Sequence, residues 1–247
     1  MEQEVPIVFG VDVEPDVRPT TAKDSLGLDG FAACIGWLEE LRPRFEDVTG
    51  RPVNYSWFLR MDPQIKVLGG SPEALAENAF AHLERLRGRG DTIGLHTHAG
   101  RWDPGGGEWI VDHGDPAWVA HCIQTAFDAY ARVFGEACRC HRFGDRWESP
   151  AALDQLGSLG AAVDLTREPG KPRVDRVDLS ARATGEVPSS LHIRSVPTRH
   201  RQSGMWQLPL TSGDPGAALP RLIRTARRIR FAGQTLRRPL TIYRRYR

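Results

Sequence analysis

Apolar residues recur in two rhythms along the first two-thirds of the chain. Residues 5–13, VPIVFGVDV, are apolar and β-branched and predict a buried strand. Phe31, Cys34, Ile35, Leu38 and Leu41 follow at helical spacing. A second strand is predicted over residues 52–59. Ser71-Pro72 then has the form of a helix start, serine as cap and proline in the first turn, with Leu75, Phe80, Leu83 and Leu86 roughly on one face. A third strand runs over 92–98. Asp115-Pro116 repeats the cap-plus-proline device ahead of the stripe Val119, Cys122, Ile123, Ala126, Phe127 and Tyr130. Residues 137–143 are strand-like. Ser149-Pro150 opens a helix bearing Leu153, Leu156 and Leu159, Gly160 ends it, and 161–165 form a short strand.

This β-α-β-α-β-α-β-α-β order predicts an α/β fold, a parallel sheet covered by helices, either open and doubly wound or closed as a barrel. Beyond Thr166 the rhythm weakens. Residues 191–196 and 205–210 have strand character, 220–231 have a helical pattern, and 240–243 form a last short strand. The segment 99–116, with Gly105-Gly106-Gly107, reads as a mobile loop. With no boundary visible, the expectation is one domain over 1–247, of which 221–247 is a basic C-terminal helix and strand segment.

A length of 247 residues, 40% hydrophobic and 26% charged, suits a water-soluble globular chain with a sizeable core. No apolar run reaches the ~18 residues of a membrane span, and the acidic N-terminus lacks the form of a signal peptide; the expected location is cytoplasmic. Cys34, Cys122, Cys138 and Cys140 read as reduced core thiols, since Cys138 and Cys140 stand too close for the usual zinc spacing. Net charge is +2, yet residues 221–247 hold ten arginines and no acid. That segment offers peripheral contact with an anionic membrane or phosphate groups, or is simply a solvated helix face. No nucleic-acid partner is expected.

The candidate chemistry lies at strand ends. Asp12 and Glu14 stand two apart, as do His96 and His98. In an extended strand, residues i and i+2 point to one side, so each pair aims both side chains at one space. Two imidazoles with one or two carboxylates are a ligand set for a catalytic Zn²⁺ or similar divalent ion. In parallel α/β architectures functional groups collect at the carboxyl ends of strands. Asp12 and Glu14 close the first strand, the histidines the third, Arg142 the fourth and Asp164 the fifth.

These residues carry a resemblance. VDVEPD, GLHTHAGRW, RFGDRW and LDQLGSLGAAVDLT, in this order over about residues 5–168, resemble the motifs of the polysaccharide deacetylase superfamily (NodB-homology, carbohydrate esterase family 4), in its Asp-x-Glu branch. The resemblance implies an incomplete (β/α)7 barrel and a metal-dependent hydrolase that removes an acyl group from an N-acylated sugar or small amide. It implies Asp12 as general base, Glu14, His96 and His98 as metal ligands, and Arg142 as the residue that holds the base. Asp164 would tune a late histidine that protonates the leaving amine, for which His192 is the candidate. Trp102 and Trp147 would offer aromatic faces to a sugar. Two departures stand out: the related second motif spaces its histidines by four, where this chain has Gly100, and the fifth motif is not evident. The alternative is a non-catalytic, deacetylase-like carbohydrate-binding protein.

Overall fold

A computed structural model of the chain describes residues 9–167 and 197–209. The strands are β1 (Phe9–Val13), β2 (Tyr55–Arg60), β3 (Thr92–Thr97), β4 (Gly100–Asp103), β5 (Glu108–Val111), β6 (Cys140–Phe143), β7 (Val163–Asp164), β8 (Thr198–Arg199) and β9 (Trp206–Gln207). The helices are α1 (Asp29–Thr49), α2 (Pro63–Gly69), α3 (Ala74–Gly88), α4 (Pro116–Phe134) and α5 (Pro150–Ser158), and Gly144–Arg146 form a short 3-10 turn after β6. Five expectations lie outside the described residues: His192, the strands at 191–196 and 240–243, the helix at 220–231, and the arginine-rich segment 221–247. The single-domain expectation likewise extends beyond them.

Seven strands form one sheet in the order β1-β2-β3-β6-β7-β9-β8. Every pair is parallel except β8 with β9, so the sheet is mixed. The fold is α/β as expected. Among the described residues the strand order is open, running from β1 at one edge to β8 at the other.

Strand alternation divides the sheet into two working faces. One face carries Trp57, Leu59, Ile93, Leu95 and Phe143, all buried. Helices pack on it: Phe31 of α1 meets Trp57 edge-on at 5.5 Å, and the Tyr130 hydroxyl of α4 donates to the Ile93 carbonyl at 3.1 Å. The other face carries Asp12, Phe58, Gly94, His96 and Arg142. In register, Asp12 stands opposite Phe58, Phe58 opposite Gly94, and His96 opposite Arg142. Gly94 is required there, because a Cβ would lie 2.6 Å from the Cys140 carbonyl oxygen and 2.9 Å from the Phe58 ring.

At the end of the sheet away from the histidines, Asp91 ties three elements together. It accepts from Arg42 Nη2 of α1 at 2.5 Å, from Trp57 Nε1 at 2.9 Å and from the Tyr55 amide at 3.0 Å.

The cap-plus-proline signals hold at two of three places. Asp115 accepts from the amides of Ala117 and Trp118, and Ser149 from that of Ala152. Ser71-Pro72 instead forms a turn; α3 starts at Ala74, and its N-cap Glu73 makes no side-chain cap bond. Phe80 is 44% exposed, and Ala76 and Ala79 take the core positions expected of it. A short helix went unforeseen: α2, with Asp62 accepting from the Gln64 amide and Pro63 in the first turn. Seven residues are too few for periodicity to reveal.

Residues 99–116 are not a structureless loop. β4 and β5 pair as an antiparallel hairpin, Trp102 opposite Trp109, closed where Gly107, at φ 68°, donates to the Asp103 carbonyl. The first strand is also less buried than its composition implies, since β1 is an edge strand in which only Val13 is fully buried. All four cysteines are free, and burial pushes the Cys138 and Cys140 thiols up to about 12, which keeps them protonated and inert. No helix among the described residues is long and apolar enough to cross a membrane.

Candidate metal centre

The ends of β1 and β3 bring three donors to one point. His96 is in β3, and His98 and Glu14 follow β3 and β1 by one residue. Glu14 Oε1 lies 2.9 Å from His96 Nε2 and 2.9 Å from His98 Nε2, and the two Nε2 atoms are 2.9 Å apart. The corners of such a triangle are ~1.7 Å from its centre, within the ~2.0–2.2 Å of zinc–nitrogen and zinc–oxygen bonds, so one ion can reach all three. Glu14, His96 and His98 therefore form a candidate metal-binding triad. The His96 side chain is 5% exposed and that of Glu14 41%, so the triad opens to solvent on the glutamate side.

Both imidazoles are held from behind. His96 Nδ1 lies 3.1 Å from the Arg142 carbonyl oxygen, which can only accept, so Nδ1 carries the proton and Nε2 offers its lone pair. His98 Nδ1 lies 3.2 Å from Asp145 Oδ2. Thr97, between them, points to the opposite face, where its hydroxyl meets His141 Nε2 at 3.2 Å.

The electrostatics favour a cation at the triangle. Burial opposes charge on Glu14, yet the two imidazoles beside it hold its carboxyl far below the usual carboxylate range. Burial and the Arg60 guanidinium oppose charge on His98, but Asp145 and Glu14 outweigh them and raise its pKa to about 9. Burial also opposes charge on Asp145, and the hydrogen bond from His98 prevails, lowering it to about 2. In the metal-free protein the His98 Nε2 proton sits between the His96 lone pair and the Glu14 carboxylate. One positive charge thus already occupies the place that two nitrogens and an oxygen offer a divalent ion.

Asp12 and Arg142 adjoin the triad. Arg142 Nη1 pairs with Asp12 Oδ2 across the sheet. Asp12 Oδ1 is 3.9 Å from His96 Nδ1; it is buried and accepts no hydrogen bond among the described residues. One Asp12 oxygen is thus fixed by Arg142, and the other is left without a hydrogen bond beside the candidate triad.

Asp164 lies elsewhere. It stands in register with His141, whose side chain points to the face opposite Arg142. Its Oδ1 is 3.0 Å from His141 Nδ1 and accepts from the Thr166 hydroxyl at 2.8 Å, and the Asp164 and His141 side chains are both fully buried. Trp102 is half-buried on the hairpin, edge-on to Trp109 at 5.4 Å. Trp147 is 5% exposed and stacks on the His113 imidazole at 4.8 Å with planes 15° apart, so one ring face is already covered. His113, on the same segment as the hairpin, lies 3.9 Å from Asp145 and outside the triad.

Several residues near the triad gave no signal of their role in the sequence. Arg60, at the end of β2, donates twice to Asp62 at 2.9 Å and once to Gln64 at 2.6 Å. Asp62 accepts in turn from the His98 amide at 3.1 Å. The Asp62-Pro63 dipeptide is a cap signal that could have been read. Gly144 and Asp145 lie within the RFGDRW stretch, but nothing in the sequence gave either a role of its own.

No protein-family model matches the chain, and no curated protein does. Among solved structures it is similar to one described as a putative polysaccharide deacetylase from Mycobacterium smegmatis, at 14% identity and a TM-score of 0.42. The match covers 82% of this chain and 57% of that one, so this chain spans little more than half the other's length. A likeness this loose says nothing about activity.

Proposed function

We propose that the protein is a metal-dependent hydrolase that removes an acyl group from an N-acylated sugar or related amide. One observation carries the reading: the Glu14, His96 and His98 donors converge within 2.9 Å of one another, directly beside the Asp12–Arg142 pair. A divalent ion there, Zn²⁺ in our reading, supplies Lewis acidity, which makes water a stronger acid and polarises an amide carbonyl.

The chain's own groups do the rest. Glu14 stays anionic through its two histidine contacts and offsets the charge of the ion. His96 keeps its Nδ1 proton on the Arg142 carbonyl, so its Nε2 stays a donor to the centre. Arg142 fixes Asp12 Oδ2, which leaves Oδ1 to take the proton from the attacking water. As the C–N bond breaks, that proton passes to the departing amine, giving acid and amine from amide and water. Asp12 is then restored. The half-buried Trp102, on the hairpin that follows His98, would offer an apolar ring edge to a sugar.

The reading is tested by acetate release from N-acetylglucosamine oligomers and from small N-acetyl amides. Wild type loaded with Zn²⁺ should hydrolyse at least one class. Asp12→Asn should retain the ion and lose ~10²–10⁴-fold in kcat, the usual contribution of a positioned base. Equal rates for the two proteins would remove Asp12 from the mechanism.

A further inference from the structure

His98 lies one residue beyond Thr97, the last residue of β3, so the strand ladder that fixes His96 does not fix His98. Three contacts from other segments do. Its amide donates to Asp62 Oδ2 at 3.1 Å, and Asp62 is itself clamped by Arg60. Its Nδ1 meets Asp145 Oδ2 at 3.2 Å. Its ring lies directly on Gly144, where a Cβ would stand 2.3 Å from Cε1, 2.4 Å from Nε2 and 2.6 Å from Nδ1.

The turn that delivers Gly144 and Asp145 is itself unusual. Asp145 and Arg146 have φ of 56° and 55°, two successive non-glycine residues in the left-handed region. Aspartate tolerates that region better than most residues; arginine does not, and such strain persists where the surroundings over-determine it. The same Asp145 oxygen, Oδ2, lies 3.9 Å from His113 Nε2, and His113 is stacked on Trp147. That oxygen thus faces two imidazoles and is within hydrogen-bond distance of His98.

We propose that the Gly144–Asp145 turn is the positioning element that makes His98 a metal ligand. Gly144 makes room for the ring, and Asp145 accepts from Nδ1–H so that Nε2 faces Glu14 and His96. The inference rests on Glu14, His96 and His98 being the ligands. It explains how a histidine only two residues from its partner, and outside the strand, reaches the same point.

The test uses the full chain and two readouts. The first is Co²⁺ titration followed by visible absorption. Asp145→Ala should weaken Co²⁺ binding ~10–100-fold, the usual cost of losing the group behind a metal-bound histidine. Asp145→Asn, whose amide oxygen accepts the same bond, should recover most of that loss. In a His98→Ala background, Asp145→Ala should have no further effect. Wild-type affinity in Asp145→Ala, or an equal loss in both backgrounds, would overturn the proposal.

The second readout needs no metal. Gly144→Ala should lower the Tm of the metal-free wild type far more than that of His98→Ala, because the three atoms nearest the added Cβ all belong to the imidazole. An equal fall in both backgrounds would contradict the cradle. Failure of wild type to bind Co²⁺ while the Gly144 result holds would sink the metal reading and with it the ligand role of the turn, leaving only a packing contact.

Discussion

His96 and His98 present their Nε2 atoms to each other at 2.9 Å, with the rings nearly perpendicular at 88°. Each ring is held by a different acceptor, the Arg142 carbonyl behind His96 and the Asp145 carboxylate behind His98. A side chain at position 100 would have to displace Gln64, since a Cβ on Gly100 would lie 3.0 Å from Gln64 Oε1. The pair, together with Glu14, is the donor set of the proposed centre. Replacing His98 by alanine should therefore weaken Zn²⁺ binding by more than the ~10–100-fold expected from losing a group behind a ligand. Competition with a chromophoric chelator measures it, and wild-type affinity in the variant would exclude His98.

The proton on His98 competes with the ion. With a metal-free pKa of about 9, His98 is charged at neutral pH, and an ion must displace its proton. Apparent Zn²⁺ affinity should rise with pH, ~tenfold per unit, and level off near pH 9. Calorimetry at pH 7.5 in two buffers of different ionisation enthalpy should show about one proton released per ion. Affinity that falls or stays flat over this range would contradict the assignment.

The same shift sets the stability of the metal-free protein. The folded pKa of His98 lies above its unfolded value of ~6.5, so its stabilisation is complete below that pH and lost as pH rises through 9. The Tm of metal-free protein should fall over that window, and in His98→Ala this part of the fall should vanish. Thermal melts at half-unit pH steps check it.

Asp164 should behave as a structural residue. Its removal leaves His141 Nδ1–H and the Thr166 hydroxyl without their acceptor inside the sheet. An unsatisfied buried donor costs ~1–3 kcal/mol, and ~1 kcal/mol lowers Tm by ~2–4 °C in a domain of this size. Asp164→Ala should thus melt several degrees lower while binding Zn²⁺ as wild type does. Lost affinity at unchanged Tm would place Asp164 at the centre after all.

The α/β class, the main strands and the convergence of Asp12, Glu14, His96, His98 and Arg142 were legible because each rests on a local rule. Alternation fixes which side i and i+2 share, and parallel strands bring their carboxyl ends to one edge. What was not legible depends on register and turns. Whether Asp164 faces Arg142 or His141 is decided by strand alternation and by the pairing of β6 with β7, which opposes it to His141. Trp147 looked available to a sugar because nothing in the sequence places His113 over its ring. The role of Gly144 is visible only once the His98 imidazole lies against it. The hairpin over 100–111 was hidden by its three glycines, which weaken the alternation of Trp109 and Val111.

In the proposed centre Glu14, His96 and His98 hold one divalent ion. The most direct measurement is anomalous X-ray diffraction at the zinc edge from crystals of Zn²⁺-loaded protein, with metal content determined on the same sample. One Zn²⁺ per chain is expected, ~2.0–2.2 Å from Glu14 Oε1 and from both Nε2 atoms. Protein saturated with Zn²⁺ that shows no anomalous peak between β1 and β3, or a peak bound by other residues, would contradict it.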